Sequence, residues 1–386
     1  MGGFQLKRKY LAVWIPVIVI AGILGGCQKK EEQVKLDDAA AALYFSTQLP
    51  HEKFGNGRSV TFLVDRAGNY SVHRYQGLEL NGLILFRNHL LIHQKNRLLV
   101  MDGNNGVRTF SYDHCTAPGG YGQSAGVLRD ERWHYALFNY RFTESMDGYI
   151  SQLRWGDENR QYCRPIYEYV QTTGDDGEFI YFISSEHQDP RRMHFHKIAI
   201  LGDEIGMEKS FLWQPEHDGI LFFTRLVPYG EQELAFIYAE LNGAYADLKL
   251  TLIDKNNPAA RRTWFLRRYD GNTTDFYFYN AKSLHVRDNI LYFVDGYGSV
   301  CAFHPEENRL EKKFQFLDYQ RTTSLKDEIV HFAGDHLYFF RQSSNSDRHV
   351  LEQYTLDGER TWNLAIEGLD RHAGSLIVYD FVMLDP

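Results

Sequence analysis

The chain has 386 residues, of which 44% are apolar, 15% aromatic and 24% charged, enough for a large packed core and unlike a disordered, collagen-like or disulfide-dense polypeptide. Tyr and Phe together number 51 against 10 Pro, a surplus of side chains suited to pleated, half-buried strands. The net charge is −8, but residues 1–26 carry Lys7, Arg8 and Lys9 and no acid, so the remainder stands at 39 basic against 50 acidic side chains, or −11. Such a body is not built to grip nucleic acid without a local basic face.

At the N-terminus Lys7-Arg8-Lys9 precedes an apolar run from Tyr10 to Leu24, which closes on Gly25-Gly26 and then Cys27, the layout of an export signal. Leu24-Gly25-Gly26-Cys27 resembles the lipobox of bacterial lipoproteins. The resemblance implies cleavage before Cys27, a diacylglycerol on its thiol and acylation of the new amino group by palmitate-type chains. Without cleavage, the 18 uncharged residues from Tyr10 to Cys27 just suffice to span a bilayer, where Pro16 is tolerated. Either way the basic flank keeps the N-terminus cytoplasmic and the body outside, held at a membrane. Gln28 stands where an Asp would resemble the inner-membrane retention signal. The resemblance therefore implies the periplasmic face of the outer membrane in a cell with two membranes, and the outer face of the cytoplasmic membrane in a cell with one. Residues 1–26 are expected to be signal peptide, 27–40 the lipidated Cys27 and a polar tether, and 41–386 the folded body.

From about residue 58 the chain is a succession of short apolar-aromatic runs, among them Val60–Val64, Leu83–Phe86, Leu90–His93, Leu98–Met101, Tyr135–Phe138, Phe179–Ile183, Ile220–Phe223, Leu234–Tyr238, Leu248–Ile253, Ile290–Val294 and His336–Phe340. Runs of strand length, with helical spacing only at Leu36–Tyr44, predict an all-β body. Asn105-Gly106, Asp147-Gly148, Asp176-Gly177, Asn242-Gly243 and Asp357-Gly358 lie between such runs and predict hairpins.

Three segments share a pattern of strand, polar turn, strand and aromatic: Leu98–Phe110, Gly298–Phe314 and Leu351–Trp362. They resemble the repeat of quinoprotein-type β-propellers, in which an apolar strand ends at an Asp, a Thr-Gly turn follows and an aromatic closes the next strand. The first copy keeps Asp102 and Gly106 with Phe110 in the aromatic place. The second has His304 and Asn308 instead and a displaced Phe314, and the third a shortened turn. The fold expected is a β-propeller of about seven four-stranded blades, with six to eight compatible with the length at roughly 45 residues per blade. A large β-sandwich or two β domains are the alternatives. The adjacent Cys pair of quinoprotein dehydrogenases is absent, so neither pyrroloquinoline quinone nor any other cofactor is expected.

Candidate chemistry is sparse. Cys115, Cys163 and Cys301 allow one disulfide, Cys115 and Cys163 being the nearer pair, or three buried thiols. Gly122-Gln123-Ser124-Ala125-Gly126 matches the spacing of a hydrolase nucleophile elbow, but no apolar strand enters it and no helix leaves it, so a flexible Gly-rich loop is expected. Asp102, Asp175-Asp176 and Asp295 read as turn caps. His194 and His196 would share one strand face, with Glu186, His187 and Asp189 able to return across a hairpin; these are the nearest approach to a metal site, and no metal is expected. Arg261-Arg262-Thr263-Trp264-Phe265-Leu266-Arg267-Arg268 is the one compact basic-aromatic cluster, a candidate surface for an acidic partner, wall polymer or lipid headgroup.

With no catalytic residue assigned, the leading expectation is a membrane-anchored scaffold that binds another envelope protein. An extracytoplasmic carbohydrate-active enzyme with its site in the propeller channel is the alternative, and a protein that captures or neutralises one specific partner is a third.

Overall fold

A strand buried on both sides reads as an unbroken apolar run, because alternate side chains serve different neighbours. The computed structural model describes residues 34–47, 57–77, 83–112, 115, 121–215, 219–243, 245–270, 281–319, 328–343 and 348–384, and within them those runs form seven antiparallel blades. The export signal and Cys27 lie outside the described residues.

From the axis outward, blade 2 is Leu83–Phe86, His89–His93, Arg97–Met101 and Val107–Ser111; blade 3 is Tyr121–Leu128, Trp133–Phe142, Tyr149–Gly156 and Gln161–Ile166. Blade 4 is Tyr169–Asp175, Ile180–Ser185, Met193–Leu201 and Glu204–Trp213. Blade 5 has an inner strand in two pieces, Gly219–Phe222 and Val227–Tyr229, then Glu233–Asn242, Tyr245–Asp254 and Arg261–Asp270. Blade 6 is Leu284–Arg287, Ile290–Val294, Ser299–His304 and Arg309–Gln315; blade 7 is Glu328–Ala333, His336–Gln342, Arg348–Thr355 and Arg360–Glu367. Blade 1 joins the two ends of the body, with Ile377–Met383 innermost, then Ala41–Ser46, Arg58–Val64 and Tyr70–Gln76. The fold is a seven-bladed β-propeller, and pairing the last strand with the first closes the ring.

Three expectations are corrected by this arrangement. Leu36–Tyr44 is not a helix: a single 3-10 turn at Leu36–Asp38 leads into Ala41–Ser46, which pairs on both sides, Ala41 opposite Val64 and opposite Met383. Two ladders outweigh the helix propensity of the alanines. The body also begins earlier than residue 41. Leu36 N–H donates to Asn105 Oδ1 at 2.9 Å, and Asn105 Nδ2 donates to the Val34 carbonyl at 2.9 Å, so Val34–Ala40 is docked on blade 2. Finally, Gly122–Gly126 is no loop but part of the inner strand of blade 3, with a bulge at Gln123. Gly126 is needed there: a Cβ would stand 2.7 Å from the Tyr135 ring and 2.5 Å from Asp175 Oδ2.

The core consists of seven layers, one between each pair of neighbouring blades. Along Ala41–Phe45 the odd residues Ala41, Leu43 and Phe45 pack toward blade 7, while Ala42 and Tyr44 pack toward blade 2. Aromatic pairs bridge the blades, as in Phe45–Phe340 (6.1 Å), Trp264–Phe303 (5.6 Å), Phe316–Phe339 (4.2 Å) and Trp213–Phe236 (6.1 Å). The Tyr and Phe surplus is spent chiefly here, and each fully buried ring contributes about 1.5–3 kcal/mol. The layer between blades 2 and 3 holds the buried polar groups His93, His134 and Arg154. It is also bridged covalently, Cys115 to Cys163 with their Cα atoms 6.3 Å apart, while Cys301 is a buried thiol.

The three repeat-like segments all prove to be third-to-fourth-strand hairpins, in blades 2, 6 and 7. Asp102 caps its turn by accepting from Asn104 N–H (2.9 Å) and Gly106 N–H (2.8 Å). Asp175 and Asp176 likewise accept backbone N–H groups at the first-to-second-strand turn of blade 4, and Asp295 at the second-to-third-strand turn of blade 6. One loop face of the propeller carries the first-to-second-strand and third-to-fourth-strand turns. The opposite face, which we term the connector face, carries the second-to-third-strand turns and the links between blades.

Candidate functional site

The basic-aromatic cluster lies on the outermost strand of blade 5, where alternation divides it. Arg261 turns toward blade 4, donating to the Leu212 carbonyl at 3.2 Å beside the Trp213 ring. Arg262 turns the other way, to Glu233 (2.8 Å) and Glu306 (3.2 Å), and Trp264 packs edge-on against Phe303 of blade 6. A bulge at Leu266 keeps Arg267 on the blade 6 side, 3.4 Å from Asp295, while Arg268 holds Asp247 with two nitrogens at 2.6 and 2.8 Å. Burial raises the Asp295 carboxyl above its usual range, and two backbone N–H groups and Arg267 work against that shift.

His194 and His196 do lie across a hairpin from the residues the sequence places with them. His194 Nε2 is 2.6 Å from Glu186 Oε1; His196 stacks on Phe182 at 4.1 Å and bonds Ser184 Oγ at 2.8 Å. Burial, aided by the Lys209 and His194 charges, pushes the His196 pKa down to about 3, so the ring is neutral and its 4.0 Å approach to Glu168 is no ion pair. Glu168, from the link between blades 3 and 4, is held by Lys209 at 2.6 Å and by the Ser184 hydroxyl at 2.9 Å. Among the described residues no group of three or more His, Cys, Asp or Glu side chains is arranged to hold a metal.

Glu168, Glu186 and Lys209, with Tyr149, Tyr167 and Tyr169, line a cleft of about 260 Å³ on the connector face between blades 3 and 4. Its rim is aromatic. Tyr169 meets Tyr149 (4.8 Å), Tyr149 meets Phe142 (5.1 Å), and Phe142 meets His187 (5.6 Å), while His194 and Arg192 lie beside Phe211. Four large apolar side chains here stay open to solvent: Phe142 at 44%, Met146 at 61%, Tyr167 at 70% and Phe211 at 51%. Glu168 and Tyr167 were missed by sequence reasoning, since they come from a link between blades and carry no motif.

The central channel gathers a second set. Lys282, at the start of blade 6, is 2.6 Å from Asp380 on the inner strand of blade 1; Asp380 also accepts from Leu83 N–H (3.1 Å) and Phe381 N–H (2.9 Å). Asp175 of blade 4 accepts from the Tyr135 hydroxyl (2.8 Å) and Gly177 N–H (3.1 Å), and burial raises its pKa against the opposing pull of Arg225. His331 of blade 7 lies 3.2 Å from the Phe381 carbonyl; burial, then the Lys282 and Arg225 charges, hold it neutral.

A family model, the YycP beta-propeller domain, matches residues 34–384. The chain belongs to the YycP family. It is 23% identical over 328 residues to the uncharacterized protein YycP of Bacillus subtilis (strain 168), covering 83% of this chain and 80% of that one. Among solved structures it is similar to a hypothetical selenium-binding protein from Sulfolobus tokodaii, with 10% identity, a TM-score of 0.50 and coverage of 89% of this chain and 93% of that one. It is also similar to a quinonprotein alcohol dehydrogenase-like protein from Bacteroides thetaiotaomicron, with 8% identity, a TM-score of 0.44 and coverage of 89% and 91%. At such identities the likeness is one of fold.

Proposed function

We propose that this chain is a lipid-anchored extracytoplasmic propeller that binds another envelope protein through the connector face of blades 3 and 4. The observation that carries the reading is the set of exposed side chains Phe142, Met146, Tyr167 and Phe211 around one cleft, in a molecule whose other rings are mostly packed between blades. Rigid aromatic side chains with little entropy to lose are the usual anchors of protein interfaces. A binding role also suits the channel, where both Asp175 and Asp380 are occupied by protein donors rather than poised as an acid and base pair.

The anchor is Cys27. Six residues separate it from Val34, a reach of at most about 25 Å of extended chain. Two or three acyl chains hold such a protein firmly. Labelling cells with a palmitate analogue tests this: the wild-type chain takes up label, and Cys27→Ser neither labels nor stays with membranes. A Cys27→Ser protein that remains fully membrane-bound contradicts the lipid anchor and favours the uncleaved helix.

For the binding face, Phe142→Ser combined with Tyr167→Ser is expected to abolish stoichiometric recovery of a partner from detergent-solubilised membranes while leaving the melting temperature unchanged. Unchanged recovery by that folded variant contradicts the assignment.

A further inference from the structure

The inner strand of blade 5 is interrupted in a way no other described inner strand is. Phe222 pairs with Tyr238 and Val227 with Ala235, so the inner piece spends two more residues than its partner in between. The extra length is pinned on both sides. Arg225 N–H donates to the Ala281 carbonyl at the approach to blade 6 (2.9 Å), and Leu226 N–H donates to the Thr173 carbonyl of blade 4 (3.1 Å). Thr224 accepts at its carbonyl from the Thr172 hydroxyl (2.8 Å), and at its own hydroxyl from Ile237 N–H (2.9 Å). The bulge is therefore fixed, with Arg225 on the inner strand of its blade. The Arg225 charge acts on Tyr135, Asp175, His285 and His331, groups from blades 3, 4, 6 and 7.

We propose that the central channel binds a small oxyanion, a carboxylate or phosphate group, on the guanidinium of Arg225 with Lys282 beside it. Asp175, on which the Arg225 charge acts, is already satisfied by Tyr135 and Gly177, and Asp380 by Lys282, Leu83 and Phe381. Arg225 itself has no carboxylate within ion-pairing distance among the described residues, and its Nε is buried without an acceptor. The Thr173 hydroxyl, in a residue 1% exposed, is buried without a partner on the adjoining strand. Lys282 places one of its three protons on Asp380. Arg225 is half-buried, and its guanidinium, without a counter-charge, offers a planar fork that fits the two oxygens of a carboxylate or phosphate. His285 and His331 are neutral and add no competing charge. This site is independent of the docking face.

The test is titration calorimetry of the full chain in detergent with inorganic phosphate and, separately, with citrate, at constant ionic strength against chloride. Wild type is expected to bind at least one of the two. Arg225→Gln is expected to weaken that binding about tenfold or more, equivalent to about 1.4 kcal/mol, with an unchanged circular-dichroism spectrum. Should Arg225→Gln fail to fold, Arg225→Lys, which keeps the charge but loses the fork, is expected to weaken binding severalfold, and phosphate or citrate is expected to raise the melting temperature of wild type more than that of the Lys variant. Binding of neither anion to wild type, or equal affinity in the folded Arg225 variant, overturns the proposal.

Discussion

The connector face of blades 3 and 4 and the outer strand of blade 5 are two surfaces of the same propeller with opposite histories. The blade 5 strand stands out in the sequence because Arg261, Arg262, Arg267 and Arg268 crowd around Trp264. In the fold that crowd disperses: Arg261 faces blade 4, Arg262 and Arg267 face blade 6, and three of the four guanidinium groups hold a carboxylate. The cleft is inconspicuous in the sequence, because its rim comes from four separate segments. Phe142, Tyr167 and Phe211 meet solvent there, as Phe265 does on the blade 5 strand. Proximity along a strand does not make a surface, since alternate residues point apart. Availability depends on whether neighbours already satisfy the group.

This contrast can be broken by substitution. The largest effect is expected from Phe142→Ser with Tyr167→Ser, which should lower partner recovery about tenfold or more, each aromatic anchor being worth about 2 kcal/mol or above in a well-packed interface. Arg261→Glu with Arg262→Glu should leave recovery within about twofold; a larger loss there would move the partner to blade 5.

A smaller effect concerns blade 4. His196 has a folded pKa of about 3 and an ordinary unfolded value near 6.5, so the unfolded chain binds the extra proton first as pH falls. The stability this neutral ring represents is complete above pH 6.5 and is lost progressively toward pH 3, about 2 kcal/mol of it by pH 5. His134, with a folded pKa of about 4 in the layer between blades 2 and 3, behaves alike. Urea midpoints at pH 7.5 and pH 5 should therefore fall apart in wild type and converge in part for His196→Gln. The smallest effect is at Arg262→Gln, where two half-exposed ion pairs should change stability by less than about 1 kcal/mol. A larger change in its melting curve would show that the blade 5 strand is more than a solvated edge.

Much of the fold was legible because blade strands are buried on both faces and therefore read as continuous runs bounded by turn residues. The hairpin dipeptides Asn105-Gly106, Asp147-Gly148, Asp176-Gly177, Asn242-Gly243 and Asp357-Gly358 all fall at turns, and Asp102 caps as its repeat suggests. Ring closure was not legible. Whether Ala41–Ser46 forms helix or strand depends on Ile377–Met383, more than 300 residues away, and local spacing carries no trace of that partner. Around the cleft, His194, His196 and Glu186 were visible as a hairpin set. Glu168 was not, because its partners Ser184 and Lys209 belong to other strands. Arg225 is a single charged residue after an apolar run and Thr224, and only the register of its flanking pieces reveals the bulge.

The measurement that bears most directly on the account is site-specific photo-crosslinking in intact cells, with a photoreactive amino acid placed in turn at Tyr167 on the cleft rim and at Phe265 on the blade 5 strand, both well exposed. One discrete adduct is expected from position 167 and none from position 265. An adduct from position 265 alone would contradict it.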